Sequence, residues 1–389
     1  MPIFQRQALR LLLVACTLAS AARAAPTPDY GRYTTTQLLP YENPQSKVQP
    51  FSDALKFQFK VDGKPYSVTM DTGSTGIMLS AKSLPGYSPE VAARYPKGWE
   101  FLSSSKRLWV GHWIPKEVTF TGDGGVPVTA KVPVLAVEQE VICPEYTSDD
   151  KATCPGQTLS AASDGIAYMG VGFGREHDGQ PQGTPDKNPF LNISQIAGKP
   201  VAPGTMRGGY LITAEGVHVG LTAKNASGFG FIQLIRTPAS IDPRDWAQAP
   251  ICVVVNESTC MAGSVLVDSG IPQMYLTVTS EVPTHPAHDL SGSKSKMVPV
   301  LDNGVQVIVN FPDDKASAGS YKFTVQDPPP TDSMAPAQVI TTANGKTVFV
   351  NTGRHFLRGY DVLFDAEGGL FGLKKIKSPS SSGGEKPKR

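Results

Sequence analysis

The sequence predicts an all-β protein built as two related halves. Three observations carry that prediction. The 389 residues include 38 glycines and 34 prolines, a density that suits many short strands joined by turns. Stretches alternating apolar and polar residues are frequent, whereas helical periodicity is scarce. One short pattern is also written twice: residues 67–79 read SVTMDTGSTGIML and residues 264–276 read SVLVDSGIPQMYL. Ser67, Val68, Asp71, Gly73 and Leu79 recur as Ser264, Val265, Asp268, Gly270 and Leu276.

The elements follow in order. Arg6 and Arg10 precede an apolar stretch from Leu11 to Leu18, and Ala22-Arg23-Ala24 forms an A-x-A cleavage site. Residues 1–24 are therefore expected to be a secretory signal peptide, giving a secreted or periplasmic protein. A competing lipobox, Leu13-Val14-Ala15-Cys16, would leave Cys16 lipidated, but it shortens the apolar core to about five residues, below the usual length. Residues 25–48, polar and proline-containing, form a lead-in arm. The first β lobe is expected over 49–190. LKFQFKV from Leu55 alternates, Asp62-Gly63 makes a hairpin turn into YSVTM, and KEVTFTG and PVTAKVPVLAV flank Gly124-Gly125. SPEVAARY (88–95) is the best helical candidate. A join over 191–208 leads into a second β lobe over 209–375. The tail 376–389 is of low complexity and expected to be disordered.

Charge and cysteines narrow the function. A net charge of +2 favours neither nucleic acid nor acidic membranes, and no basic cluster interleaves with aromatics. The histidines are scattered, so no metal or other cofactor is expected. Removing the signal leaves four cysteines, an even number in an exported protein. Neighbours in sequence, Cys143 with Cys154 and Cys252 with Cys260, are expected to pair, against the alternative of four free thiols. Sequons at Asn192, Asn225 and Asn256 mark candidate surface loops.

The chemistry lies in the repeat. Each copy ends an apolar run in Asp-(Thr/Ser)-Gly, which puts a carboxylate on a tight loop between buried strands. One copy alone is an ordinary Asp-Gly turn; two in matched settings suggest carboxyls that meet. Two such groups about 3 Å apart share one proton, so one can act as base and the other as acid. Gly73 and Gly270 are expected to turn with positive φ and approach the partner loop. Thr72 and Ser269 would donate hydroxyls across the axis.

With both motifs placed, the chain resembles the pepsin-like aspartic proteases over about residues 50–375. SDGIAYMGVGFG (163–174) is similar to the family's Asp-Gly-Ile-x-Gly segment, and GRHFLRGYDVLFDAEGGLFGL (353–373) to its terminal segment. Cys252 and Cys260 fall where the family often has a small disulfide loop. The resemblance implies two pseudo-twofold-related, β-barrel-like lobes with a central cleft. It further implies a monomer in which Asp71 and Asp268 activate a water against an extended polypeptide.

Three positions depart from the family pattern. Ser74 can hydrogen-bond Asp71 and favour its charged form, but Ile271 and Pro272 replace hydroxyl residues beside Asp268. Asp268 is therefore expected to carry the shared proton and Asp71 to be the base. The flap hairpin that covers the cleft in the family falls on WEFLSSSKRLWVGHW (99–113), with its tyrosine position near Ser103 and Ser104. Trp109, Trp99 or Trp113 could supply an indole donor instead, the alternative being tryptophans half-buried in strands. The usual aromatic after the first motif is Met78. These departures keep a second function open, a catalytically silent pepsin-fold binding or inhibitor protein.

Overall fold

The computed structural model describes residues 24–376 except 26, 47–48, 176–179, 181, 238–241, 291–295 and 331–332. Residues 1–23 of the proposed signal peptide, Cys16 among them, and residues 377–389 of the tail lie outside the described residues. Among the described residues there are 26 strands, one short α-helix and six 3-10 turns, and the strands form three large sheets. The chain is nearly all β. No helix among the described residues is long and apolar enough to cross a membrane.

Local sequence explains the strand ends. In Lys56–Val61 side chains alternate between exposed and buried, with Phe57, Phe59 and Val61 inward. Asp62 and Gly63 both have positive φ (48° and 83°), the backbone required by a tight two-residue hairpin. The return strand is Lys64–Asp71. The Gly124-Gly125 turn joins Arg107–Thr121 to Pro127–Ile142, strands longer than the sequence pattern marked. The helix is shorter than expected: Pro89–Ala92, capped by the Ser88 hydroxyl, which accepts from Val91 N at 3.2 Å. Pro96 bars its continuation past Tyr95, since a proline drives the preceding residue out of helical backbone.

Two of the sheets contain the same run of six strands. In the ten-stranded sheet the order is Pro127–Ile142, Thr75–Ser80, Ala167–Val171, Lys64–Asp71, Lys56–Val61, Arg107–Thr121. In the nine-stranded sheet it is Val339–Thr342, Met274–Thr277, Val348–Asn351, Met261–Leu266, Ala249–Val255, Gln306–Phe311. Each neighbouring pair has the same sense in both sheets, parallel where its counterpart is parallel.

The third sheet cuts across the expected boundaries. Its seven strands include Gln37–Pro40 from the arm, Arg207–Ile212 and Gly216–Leu221, and Tyr360–Asp365 and Leu370–Lys375 from the far end. The arm is thus paired structure. Tyr30 and Tyr33 in it are buried, and Tyr30 donates to Asp365 at 2.9 Å. Arg207 grips both oxygens of the same carboxylate at 2.9 and 3.0 Å. Within the expected join, Ile193–Ile196 pairs with Pro127–Ile142 and belongs to the ten-stranded sheet.

The core is continuous across the three sheets. Phe57 packs edge-on to Phe190, Phe190 to Tyr210, and Tyr210 to Phe364, which stacks on Phe173. Such contacts each add roughly 0.5–1.5 kcal/mol beyond the area they bury. Both disulfides are formed, with Cα separations of 5.8 Å for Cys143–Cys154 and 5.4 Å for Cys252–Cys260.

Candidate functional site

Asp71 is the last residue of its strand, and Asp268 lies two residues beyond Met261–Leu266. Val68 and Met70 before the first, and Val265 and Val267 before the second, are buried. Apolar packing therefore drives both strands inward and carries a carboxyl with each. Asp71 is 5 % exposed and Asp268 6 %.

The two loops bind one another almost symmetrically. Ser269 N donates to Thr72 Oγ1 at 2.9 Å, and Thr72 N donates to Ser269 Oγ at 3.1 Å. The hydroxyls continue outward, Thr72 Oγ1 to Val267 O at 2.5 Å and Ser269 Oγ to Met70 O at 3.1 Å. The backbone N–H and the hydroxyl of Thr72 and of Ser269 each have a partner on the opposite loop, as burial in an apolar interior requires.

The glycines serve one of the two purposes expected of them. Neither Gly73 nor Gly270 has positive φ. A Cβ on Gly73 would lie 2.7 Å from Asp268 Oδ2, and one on Gly270 would lie 2.5 Å from Asp71 Oδ1. Any side chain here would occupy the space of the opposite carboxyl. Close approach, rather than turn geometry, requires glycine at both positions.

Hydrogen bonds to the carboxyls are unequal. Asp71 accepts from Gly73 N at 2.7 Å, and its Oδ2 accepts from both Ser74 Oγ at 2.7 Å and the Tyr168 phenol at 2.8 Å. Asp268 accepts from Gly270 N at 2.8 Å and from Asn351 Nδ2 at 2.7 Å. Burial holds the Asp268 carboxyl well above the usual carboxylate range. The negative charge of Asp71 and a hydrogen bond between the two side chains push it the same way, against Asn351 and Gly270 N.

A cavity of about 540 Å³ opens over the pair. Ser103 and Ser104 line it from the turn between Lys97–Leu102 and Arg107–Thr121. Tyr275, Met297, Val298 and Ile340 supply an apolar wall from the nine-stranded sheet. The tryptophans do not reach it. Trp109 and Trp113 are buried, and their indoles donate to Glu140 at 3.4 Å and to Gln182 at 2.7 Å. Trp109 instead packs edge-on against Tyr168, 5.8 Å between ring centres.

Sequence reasoning named Asp71, Thr72, Gly73, Ser74, Asp268, Ser269 and Gly270, and these meet at one point. It passed over Tyr168 and Asn351, although both stand in or beside the segments that carry the resemblance. Ile271 and Pro272 provide no side-chain donor, and the one Asp268 receives comes from Asn351, 83 residues away in the chain. The signal that could have found them is strand order, because both lie on a strand that pairs in parallel with an aspartate strand. Comparison of the chain with protein-family models and with curated proteins found no match.

Proposed function

We propose that the chain is a pepsin-like aspartic endopeptidase, exported from the cell, whose two lobes are the two sheets that repeat one strand order. The observation that carries the reading is the pair of buried carboxyls, Asp71 and Asp268, each close against the other's glycine and held by reciprocal Thr72 and Ser269 contacts. The disulfides and the A-x-A site support export.

In this reading a water between the carboxyls is the nucleophile. Asp71, ringed by donors, takes a proton from the water as its oxygen attacks the peptide carbon. Asp268 gives its proton to the carbonyl oxygen, yielding a neutral gem-diol. Asp71 then returns its proton to the amide nitrogen, the C–N bond breaks, and Asp268 recovers a proton from a diol hydroxyl. Neither step forms a covalent bond to the protein. The peptide lies extended along the Lys97–Leu102 hairpin as an added strand, with apolar side chains against Tyr275, Met297 and Ile340.

The test is cleavage of a denatured protein at several acidic pH values, with and without a statine-type transition-state analogue. Inhibitor-sensitive cleavage, lost in Asp71→Asn and Asp268→Asn, is the expected result. Absence of cleavage across the range by pure folded protein would replace the reading with a silent binding protein. The hairpin turn, which presents serines and no aromatic side chain, favours that alternative.

A further inference from the structure

Tyr168 and Asn351 occupy the same place in the two repeated sheets. Tyr168 pairs across a parallel ladder with Thr69, two residues before Asp71. Asn351 pairs across the corresponding parallel ladder with Leu266, two residues before Asp268. Each donates to Oδ2 of its own aspartate, at 2.8 and 2.7 Å. On the other side, Tyr168 faces Met78 and Asn351 faces Tyr275, and Met78 and Tyr275 are themselves counterparts seven residues after their aspartates. One half therefore carries the aromatic ring on the strand that directly follows its aspartate loop. The other carries it one strand over, with its hydroxyl on the carboxylate.

That exchange has a chemical consequence. An amide donor and a phenol donor are not equivalent partners for a proton-sharing pair. The phenol joins Ser74 on a single oxygen of Asp71, so two hydroxyls converge where the second half has one amide. Burial raises the Tyr168 hydroxyl well above its ordinary range, with the charges of Asp71 and Asp268 adding to it, so it remains a donor. Its ring is held by Trp109 on the hairpin. Glu100 on the hairpin, itself buried and raised, and Arg354 beyond Asn351 also face the pair, and Lys106, Arg175, Asp289 and Lys296 line the same cavity.

We propose that Tyr168 is a positioning residue of the pair, its phenol holding Asp71 as the proton acceptor while Asn351 orients Asp268 as the donor. The inference rests on the peptidase reading for its catalytic meaning but not for its test.

The test follows the aspartate carboxyl carbons of the full chain by NMR as a function of pH. A coupled pair titrates in two steps that belong to the pair. Tyr168→Phe is expected to move the lower step up by about one unit, and Ser74→Ala, acting on the same oxygen, to move it in the same sense. In the peptidase the acid limb of kcat/KM shifts with it, a loss of about tenfold on the acid side, while KM stays unchanged. In the unaltered protein the Cζ resonance of Tyr168 should follow that same lower step, which needs no variant to fold. A folded Tyr168→Phe protein with an unmoved lower step, or a Tyr168 resonance flat through it, overturns the proposal. An inactive chain that still shows both shifts discards the peptidase and keeps the phenol's hold on Asp71. An active chain without them discards Tyr168 alone.

Discussion

Thr72 and Ser269 each hydrogen-bond the other's backbone, Ser269 N to Thr72 Oγ1 at 2.9 Å and Thr72 N to Ser269 Oγ at 3.1 Å. The carboxyls that precede them in the chain are brought to one point by this crossing, and sharing a single proton relieves the repulsion that two anions there would feel. Two further bonds, Thr72 Oγ1 to Val267 O and Ser269 Oγ to Met70 O, complete the crossing.

Thr72→Val removes the acceptor of Ser269 N and the donor to Val267 O while keeping the side-chain volume. Each buried group left unmatched costs about 1–3 kcal/mol. Urea unfolding should show a loss of that order, and Ser269→Ala added to it should cost less than it does alone, because the two share their bonds. Strict additivity would mean that the loops do not depend on each other.

Gly270→Ala places a methyl 2.5 Å from Asp71 Oδ1. The methyl must displace a carboxyl, so the pair separates. The expected protein is folded by circular dichroism but loses its cleavage activity and its affinity for a statine-type inhibitor. Retention of tight inhibitor binding would contradict the spacing described above.

Asp268→Asn should stabilise the fold, and more at neutral than at acid pH. The carboxyl is raised in the folded state above its unfolded value of about 3.9. Between those two values the folded chain binds the extra proton, so stability falls as pH rises through the window. Asparagine removes that dependence. Thermal midpoints of the two proteins should nearly coincide near pH 3 and diverge towards pH 7. A gap that instead narrowed with rising pH would reverse the assignment of the proton.

Cys143 and Cys154 close a loop of sequence separation 11 beside the hairpin, where Phe101, Leu108 and Val110 pack around them. Chain-entropy arguments give about 3 kcal/mol for a loop of this length. Replacing both cysteines by alanine should lower stability by about that amount and loosen the Ser103–Ser104 turn. Faster amide exchange on Phe101 and Leu108 than elsewhere in the same sheet would show it.

Strand positions, the Asp62-Gly63 hairpin, both cysteine pairs and the two aspartate loops were legible because each is written in adjacent residues. The glycines of those loops were legible as residues, and of the two causes expected for them only the close approach holds. A turn and a close approach select the same amino acid, and only the opposite carboxyl distinguishes them. Of the two readings of the tryptophans, the strand alternative holds for Trp109 and Trp113, and only tertiary contacts decide it. An indole in a strand shows nothing in sequence of Glu140 or Gln182, which occupy it.

By itself the sequence determined the all-β character, the duplicated carboxylate loops and their hydroxyl neighbours, since turn chemistry and alternation act over a few residues. Tertiary structure alone decided which groups steady those carboxyls. Tyr168 reaches Asp71 from 97 residues away and Asn351 reaches Asp268 from 83, and the arm strand Gln37–Pro40 lies beside Gly216–Leu221. Such neighbours are fixed by ladder register across a sheet, and register follows from how the whole core packs rather than from any local stretch of chain.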